Sequence, residues 1–213
     1  MSAHDLSLHL VTDHRMPFAD VVDIVDAAAG AGASIVQFRD KDASGRDLFD
    51  RVMALADVIA GRAAFVVDDR VDVALAARAA GARVDGVHLG QSDLPVVAAR
   101  RLLGSDALIG WTANTSAHFT AAAALPAGTA DYLGVGVIRA TATKPDHPQP
   151  LGVDGFAELM ASAPLPCVAI GGIEVGDVAP LRRAGAAGVA VVSAVSGAED
   201  PASATRALRE AWA

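Results

Sequence analysis

Short apolar runs alternate with longer, Ala-rich amphipathic stretches eight times along this chain, and that rhythm limits the fold more than any other feature of it. The runs lie at roughly 6–12, 34–39, 64–67, 85–89, 107–111, 131–135, 166–170 and 188–192. Each is short and rich in Val, Leu, Ile or Ala, as a strand buried on both faces must be. Helical periodicity predicts helices between and after them, at about 17–30, 45–61, 70–80, 93–103, 115–124, 152–161, 174–184 and 200–212. Pro17 follows a turn, Asp200 precedes Pro201 as cap and first-turn residue, and Gly30, Gly61, Gly81 and Gly185 stand at helix ends. Three of those ends share one pattern, AAGAGAS at 28–34, AAGARVDG at 79–86 and RAGAAGV at 183–189, as repeated βα units would leave it. Eight such units in 213 residues predict a (βα)8 TIM barrel, α/β in class, forming one domain over residues 1–213. A doubly wound flavodoxin-like or Rossmann sheet is the competing arrangement; it normally uses fewer strands, and no GxGxxG follows the first run.

Composition narrows the partners. Hydrophobic residues make up 53% of the chain and aromatics only 4%, so Ala, Val, Leu and Ile must fill the core. A formal charge of -8 argues against a general nucleic-acid partner, because backbone binding relies on basic patches. A local cation cluster can still receive a small anion. The single cysteine, Cys167, lies in the apolar run CVAI and reads as a core thiol. The first residues, MSAHDLSLHL, show no basic region followed by an apolar stretch, and no run approaches ~18 apolar residues, so a cytoplasmic protein with no membrane partner is expected.

A barrel keeps its chemistry at the C-terminal strand ends and in the loops beyond. Thr12, Gln37, Arg39, Lys41, Asp68, Asp69, Gln91, Asp93, Thr112, Asn114, Thr141, Thr143, Lys144, Gly171, Gly172 and Ser193 all fall there. Only two of the 17 basic residues are lysines, Lys41 and Lys144, and both are in this set. Period two sends Gln37, Arg39 and Lys41 to one side of the second strand, which suits a multiply charged anion; pairing of the cations with Asp40 or Asp42 is the plainer alternative. Asp69 and Asp93 offer hard oxygens for magnesium, which takes one or two carboxylates and completes its shell with water and phosphate oxygens. Each also fits a helix start, Asp69 as N-cap of the third helix and Asp93 as a first-turn acid of the fourth. GGI at 171–173 and VVSA at 191–194 end the seventh and eighth strands, where this fold commonly binds a phosphate through backbone N–H groups. A monophosphate pocket beside a metal-assisted polyphosphate pocket suggests a two-substrate transferase. The connection from about 136 to 151 is longer than the ~2–6 residues usual for a βα loop. It reads as a lid carrying Thr141, Thr143 and Lys144, or else as an idle excursion. His88 and His9 read as satisfied barrel histidines, no Ser/His/Asp ordering stands out, and no Cys or His spacing fits zinc.

Seven segments, in order and over essentially the whole chain, resemble the thiamine phosphate synthase family: LVTD (10–13), VQFRDK (36–41), VVDDRVDVAL (66–75), DGVHLGQSD (85–93), TATK (141–144), VAIGGI (168–173) and GVAVVSAV (188–195). The resemblance implies a (βα)8 enzyme that joins hydroxymethylpyrimidine diphosphate to hydroxyethylthiazole phosphate and releases pyrophosphate. It implies that Asp69 and Asp93 hold Mg2+. Gln37, Arg39, Lys41, Asp68, Thr112 and Lys144 would meet the pyrimidine diphosphate, with Lys144, Arg39 and Lys41 as the catalytic cations. Thr141, Thr143, Gly172, Val192 and Ser193 would meet the thiazole phosphate. Three departures from the family pattern stand out. Asp68 replaces an Asn before the metal Asp and cannot donate that amide's hydrogen bond. Val137, Ile138, Arg139 and Ala140 replace a Pro- and aromatic-containing run, with Arg139 expected to add a cation that offsets Asp68. Asn114 stands where some relatives have His. A thiazole tautomerase-like relative and a non-catalytic phosphate-binding barrel are the alternatives; the retained Gln37, Lys41, Asp69 and Asp93 weigh against the first, and the departures at Asp68 and Arg139 are the only support for the second.

Overall fold

The computed structural model describes residues 4–141 and 149–213. Its strands are β1 (Leu8–Val11), β2 (Ile35–Phe38), β3 (Ala64–Asp68), β4 (Gly86–Leu89), β5 (Leu108–Thr112), β6 (Tyr132–Gly136), β7 (Cys167–Ile170) and β8 (Gly188–Val191). Its helices are α1 (Phe18–Gly30), α2 (Gly45–Ile59), α3 (Val71–Ala79), α4 (Val96–Leu103), α5 (Ser116–Ala123), α6 (Gly152–Met160), α7 (Val175–Arg183), α8 (Ser193–Ser196) and α9 (Pro201–Trp212). All strand pairings are parallel and sequential, and β8 returns to β1, which closes the barrel and excludes the doubly wound sheet.

Each strand feeds two apolar regions. Ile35, Ala64, Val66, Leu108, Tyr132, Val168 and Ala190 fill the barrel interior. Their in-between neighbours, among them Val36, Phe65, Val67, Ile109, Leu133 and Val189, pack outward against the helices. Because both faces are covered, the strands are mostly apolar, with polar residues at only a few inward positions such as His9, Gln37, Asp68, His88 and Thr112.

The three shared helix ends have one physical cause. Gly32, Gly81 and Gly185 adopt φ of 103°, 97° and 97°, and the next residue's N–H returns to the helix in the bonds Ala33 to Ala28, Ala82 to Ala77 and Ala186 to Leu181. These are Schellman stops, and each is followed directly by a strand. At the first of them Gly30 is the last helical residue, and Gly32 takes the left-handed turn. Asp200 caps α9 by accepting from Ser203 N–H at 3.0 Å, with Pro201 opening the helix as expected.

Two boundaries differ from expectation. α4 begins at Val96 rather than near 93, because Pro95 disfavours helical geometry at Leu94. Val192 is followed by the short α8, a turn of helix that four residues of unremarkable periodicity did not announce.

Candidate active site

The period-two phase that packs the interior also builds the site. Followed toward the C-terminal ends, the inward positions run Ile35 and Gln37 on β2, continued by Arg39 and Lys41 just beyond it, and Ala64, Val66 and Asp68 on β3. They continue as His88 on β4, Thr112 on β5 and Val192 beyond β8, and these polar ends line a cavity of about 640 Å3. Gln37, Arg39, Lys41, Asp68, Asp69, Asp93, Thr112, Thr141, Gly172, Val192 and Ser193 all border it, so one space brings together every expected site residue that is described. Thr143 and Lys144 lie outside the described residues.

One side of the cavity is an ionic cluster. Lys41 Nζ bonds Asp69 Oδ2 and lies 3.5 Å from Asp68 Oδ2, and Arg39 Nε is also 3.5 Å from Asp68. The plainer pairing of these cations with Asp40 and Asp42 does not occur: Asp40 pairs with Arg51, and Asp42 faces His14. The helix-start readings fail as well. The N-cap of α3 is Arg70, while Asp69 takes a left-handed φ of 59°, which Asp tolerates better than most residues. Its backbone N–H bonds His88 O at 2.8 Å. Asp93 precedes α4 and folds back to accept the Gly90 N–H at 2.7 Å.

Burial works against the Lys41 ammonium, but its contact with Asp69 and the charges of Asp68 and Asp69 outweigh that, so it stays charged above its ordinary range. Burial lifts the Asp68 carboxyl above the usual carboxylate range although Lys41 and Arg39 pull it down. Burial and a hydrogen bond with Asp69 raise Asp93. Two crowded carboxyls facing one space are a donor set that fits a hard divalent cation. Among the described residues no group of three or more His, Cys, Asp or Glu side chains converges on one point.

The floor is a hydrogen-bonded chain. The Tyr132 hydroxyl, with Gln37 close enough to ease its titration, lies 3.1 Å from His88 Nδ1, and His88 Nε2 lies 3.0 Å from Thr112 Oγ1. His88 is therefore the satisfied barrel histidine expected, and burial lowers it to about 4, so it is neutral. His9 is not satisfied. Its ring meets Tyr132 edge-on at 5.2 Å, its Nε2 has no partner among the described residues, and burial with the nearby His88 lowers it to about 3. Tyr132 was missed by sequence reasoning, and with it the reason for the small residues inside β5 and β6. A Cβ at Gly110 would stand 2.2 Å from the Tyr132 ring and 2.4 Å from His88 Nδ1, and one at Gly134 would stand 2.9 Å from His88. Glycines inside otherwise bulky strands were the available signal.

The opposite side is backbone. Gly171 and Gly172 hold φ of 100° and 64°. A Cβ on Gly171 would lie 2.5 Å from Val137, and one on Gly172 would lie 2.9 Å from Ala140 O. Both glycines thus bring the chain close to the base of the strand-six loop, whose Ile138 and Arg139 N–H groups bond Ile170 O and Gly171 O at 3.0 and 2.9 Å. Arg139 does not face the ionic cluster. Its guanidinium makes two bonds to Asp177 on α7, at 2.9 and 2.6 Å, because the strand-six exit delivers it to the helix start rather than to the cavity. Asn114 lines the cavity and accepts the Gly136 N–H at 3.1 Å through Oδ1, the orientation of an amide and not of an acid or base.

Fold and site together define a (βα)8-barrel enzyme with a polar cavity whose rim carries cations and paired carboxyls on one side and glycine backbone on the other. Residues 8–195 match the family described as thiamine monophosphate synthase. The thiamine-phosphate synthase of Albidiferax ferrireducens is 43% identical, covering 98% of this chain and 94% of the relative. That of Chloroflexus aurantiacus is 46% identical over 96% and 92%. The solved thiamine phosphate pyrophosphorylase from Pyrococcus furiosus superposes with a TM-score of 0.83 at 34% identity, covering 98% of this chain and 96% of that one. The chain belongs to the thiamine monophosphate synthase family and is a transferase of thiamine biosynthesis.

Proposed function

We propose that this chain joins hydroxymethylpyrimidine diphosphate to hydroxyethylthiazole phosphate, releasing pyrophosphate, in the cytoplasm. The observation that carries this reading is the two-sided cavity, with Arg39, Lys41, Asp69 and Asp93 on one wall and the close-approach glycines Gly171 and Gly172 on the other. A diphosphate fits the first wall and a monoester phosphate the second.

In the reaction the bond between the pyrimidine methylene carbon and the diphosphate oxygen breaks, and its electron pair leaves with the diphosphate. The thiazole nitrogen lone pair then forms the new C–N bond. Charge accumulates on the leaving group, so fixed cations that do not need to reorganise lower the barrier. Arg39 and Lys41 supply those cations from the segment that follows β2, and the family resemblance adds Lys144. Asp69 and Asp93 would hold magnesium, which supplies further positive charge to the diphosphate. Asp68 orients Arg39 and Lys41 from below. Gln37 and Thr112 meet the pyrimidine end at the floor, where Tyr132 and His88 fix their orientation. Gly172, Val192, Ser193, Thr141 and Thr143 receive the thiazole phosphate. No side chain is required as nucleophile, and His88 is already spent on two internal hydrogen bonds.

The test is pyrophosphate release by the purified protein given both substrates with magnesium. Release that requires both substrates and stops on chelation is expected. Binding of thiazole phosphate with no pyrophosphate formed would instead favour a tautomerase-like or purely binding barrel.

A further inference from the structure

The loop between β1 and α1 reaches across to Arg39 in two places. Thr12 Oγ1 accepts the Arg39 backbone N–H at 2.9 Å and also contacts the Arg39 carbonyl at 3.3 Å, which fixes the main chain. His14 meets the side chain: its Nδ1 lies 3.3 Å from Arg39 Nη1. A guanidinium can only donate, so His14 Nδ1 must be the acceptor, and the ring proton then sits on Nε2. Nε2 lies 3.4 Å from Asp42 Oδ2, where a donor is wanted. The loop's other charges are taken up with each other, since Asp13 accepts from Arg15 at 2.8 and 2.6 Å. A row therefore runs Asp42, His14, Arg39, Asp68, from an exposed carboxylate on one side to a buried one on the other.

We propose that His14 is a positioning residue that aims the Arg39 guanidinium at the diphosphate of the substrate. The proposal rests on the reading of this wall as the diphosphate end. A carboxylate partner orients an arginine but also neutralises it. A neutral imidazole acceptor holds the same N–H group and leaves the positive charge for the incoming anion. The second ring nitrogen, facing Asp42, keeps the ring in the tautomer that can accept. Among the described residues Arg39 thus has one anionic partner, Asp68, on the side of β3, and one neutral partner outside the cavity. Side-chain freedom that would otherwise be lost on binding is already given up in the free protein.

Three proteins test this: wild type, His14→Phe, which keeps a ring but removes the acceptor, and His14→Asn, whose Oδ1 stands near the place of Nδ1. Affinity for inorganic pyrophosphate with magnesium is measured by calorimetry, and KM and kcat for each substrate are measured separately. Loss of one hydrogen bond to a charged group should weaken pyrophosphate binding about tenfold in His14→Phe. It should raise KM for the diphosphate substrate with little change for the thiazole phosphate, and His14→Asn should recover most of both. Wild-type affinity in His14→Phe overturns the proposal, and so does a His14→Asn protein as weak as His14→Phe, since packing rather than the acceptor would then matter. Failure of the functional reading shows separately, as wild-type protein that binds pyrophosphate but forms no product.

Discussion

Two neutral histidines inside the barrel should make this protein acid-sensitive in a way that can be assigned to single residues. His9 is 1% exposed and lowered to about 3, and His88 is lowered to about 4, in both cases mainly by burial. Their ordinary value is 6.5, so below that pH the unfolded chain binds protons that the folded chain refuses. Stability then falls as pH falls, and each pH step below the ordinary value costs about 1.4 kcal/mol per histidine until the folded value is reached. Between about pH 7.5 and about pH 5 the loss comes to about 2 kcal/mol per histidine, or about 4 kcal/mol for the pair. Depressed carboxyls such as Asp13, Asp72 and Asp177 act mostly below this window, because their unfolded value is 3.8. The raised Asp68 and Asp93 act in the opposite direction, since the folded protein holds their protons more readily. Urea unfolding followed by circular dichroism across that range, for wild type and His9→Phe, separates the terms. His9→Phe should lose about 2 kcal/mol of the pH dependence. It should be no less stable near neutrality, because an unpaired buried nitrogen that costs about 1–3 kcal/mol is removed. A variant with the full wild-type pH dependence would refute the reasoning, since His9 could not then be a buried neutral base.

The site itself offers further tests. Asp69→Asn or Asp93→Asn should lower kcat by about 100-fold or more, as removal of several kcal/mol of charge stabilisation requires, with the thermal midpoint little changed; retained turnover would place the metal elsewhere. Arg139→Ala should raise KM for the thiazole phosphate more than for the diphosphate substrate, because Arg139 braces the Gly172 side of the cavity through Asp177, and steady-state kinetics with the opposite preference would return it to the ionic cluster. Gly110→Ala should destabilise the protein by about 1–3 kcal/mol in the same urea assay, since the added methyl would meet both Tyr132 and His88, and an unchanged midpoint would show that those rings move freely.

The eight strands and their order were legible because burial on both faces demands unbroken apolar runs, and the Schellman glycines at 32, 81 and 185 mark the re-entry to β2, β4 and β8 in plain composition. Gln37, Arg39 and Lys41 were legible for the same reason: a strand's period of two holds wherever the strand lies. The partners of those residues were not. Lys41 bonds Asp69 rather than Asp42, Arg139 bonds Asp177 rather than facing Asp68, and Asp93 escapes its helix, because each outcome depends on which loop a neighbouring strand brings alongside. Nor could a linear pattern show that His88, Tyr132 and Thr112, drawn from three strands, share one hydrogen-bonded floor while His9 Nε2 beside them has no partner among the described residues. Local periodicity and glycine chemistry act within a few residues, so the sequence alone determined the barrel and the list of side chains at its mouth. Pairing among those side chains depends on distances of a few ångströms between segments far apart in the chain, and only closure of the barrel decides them.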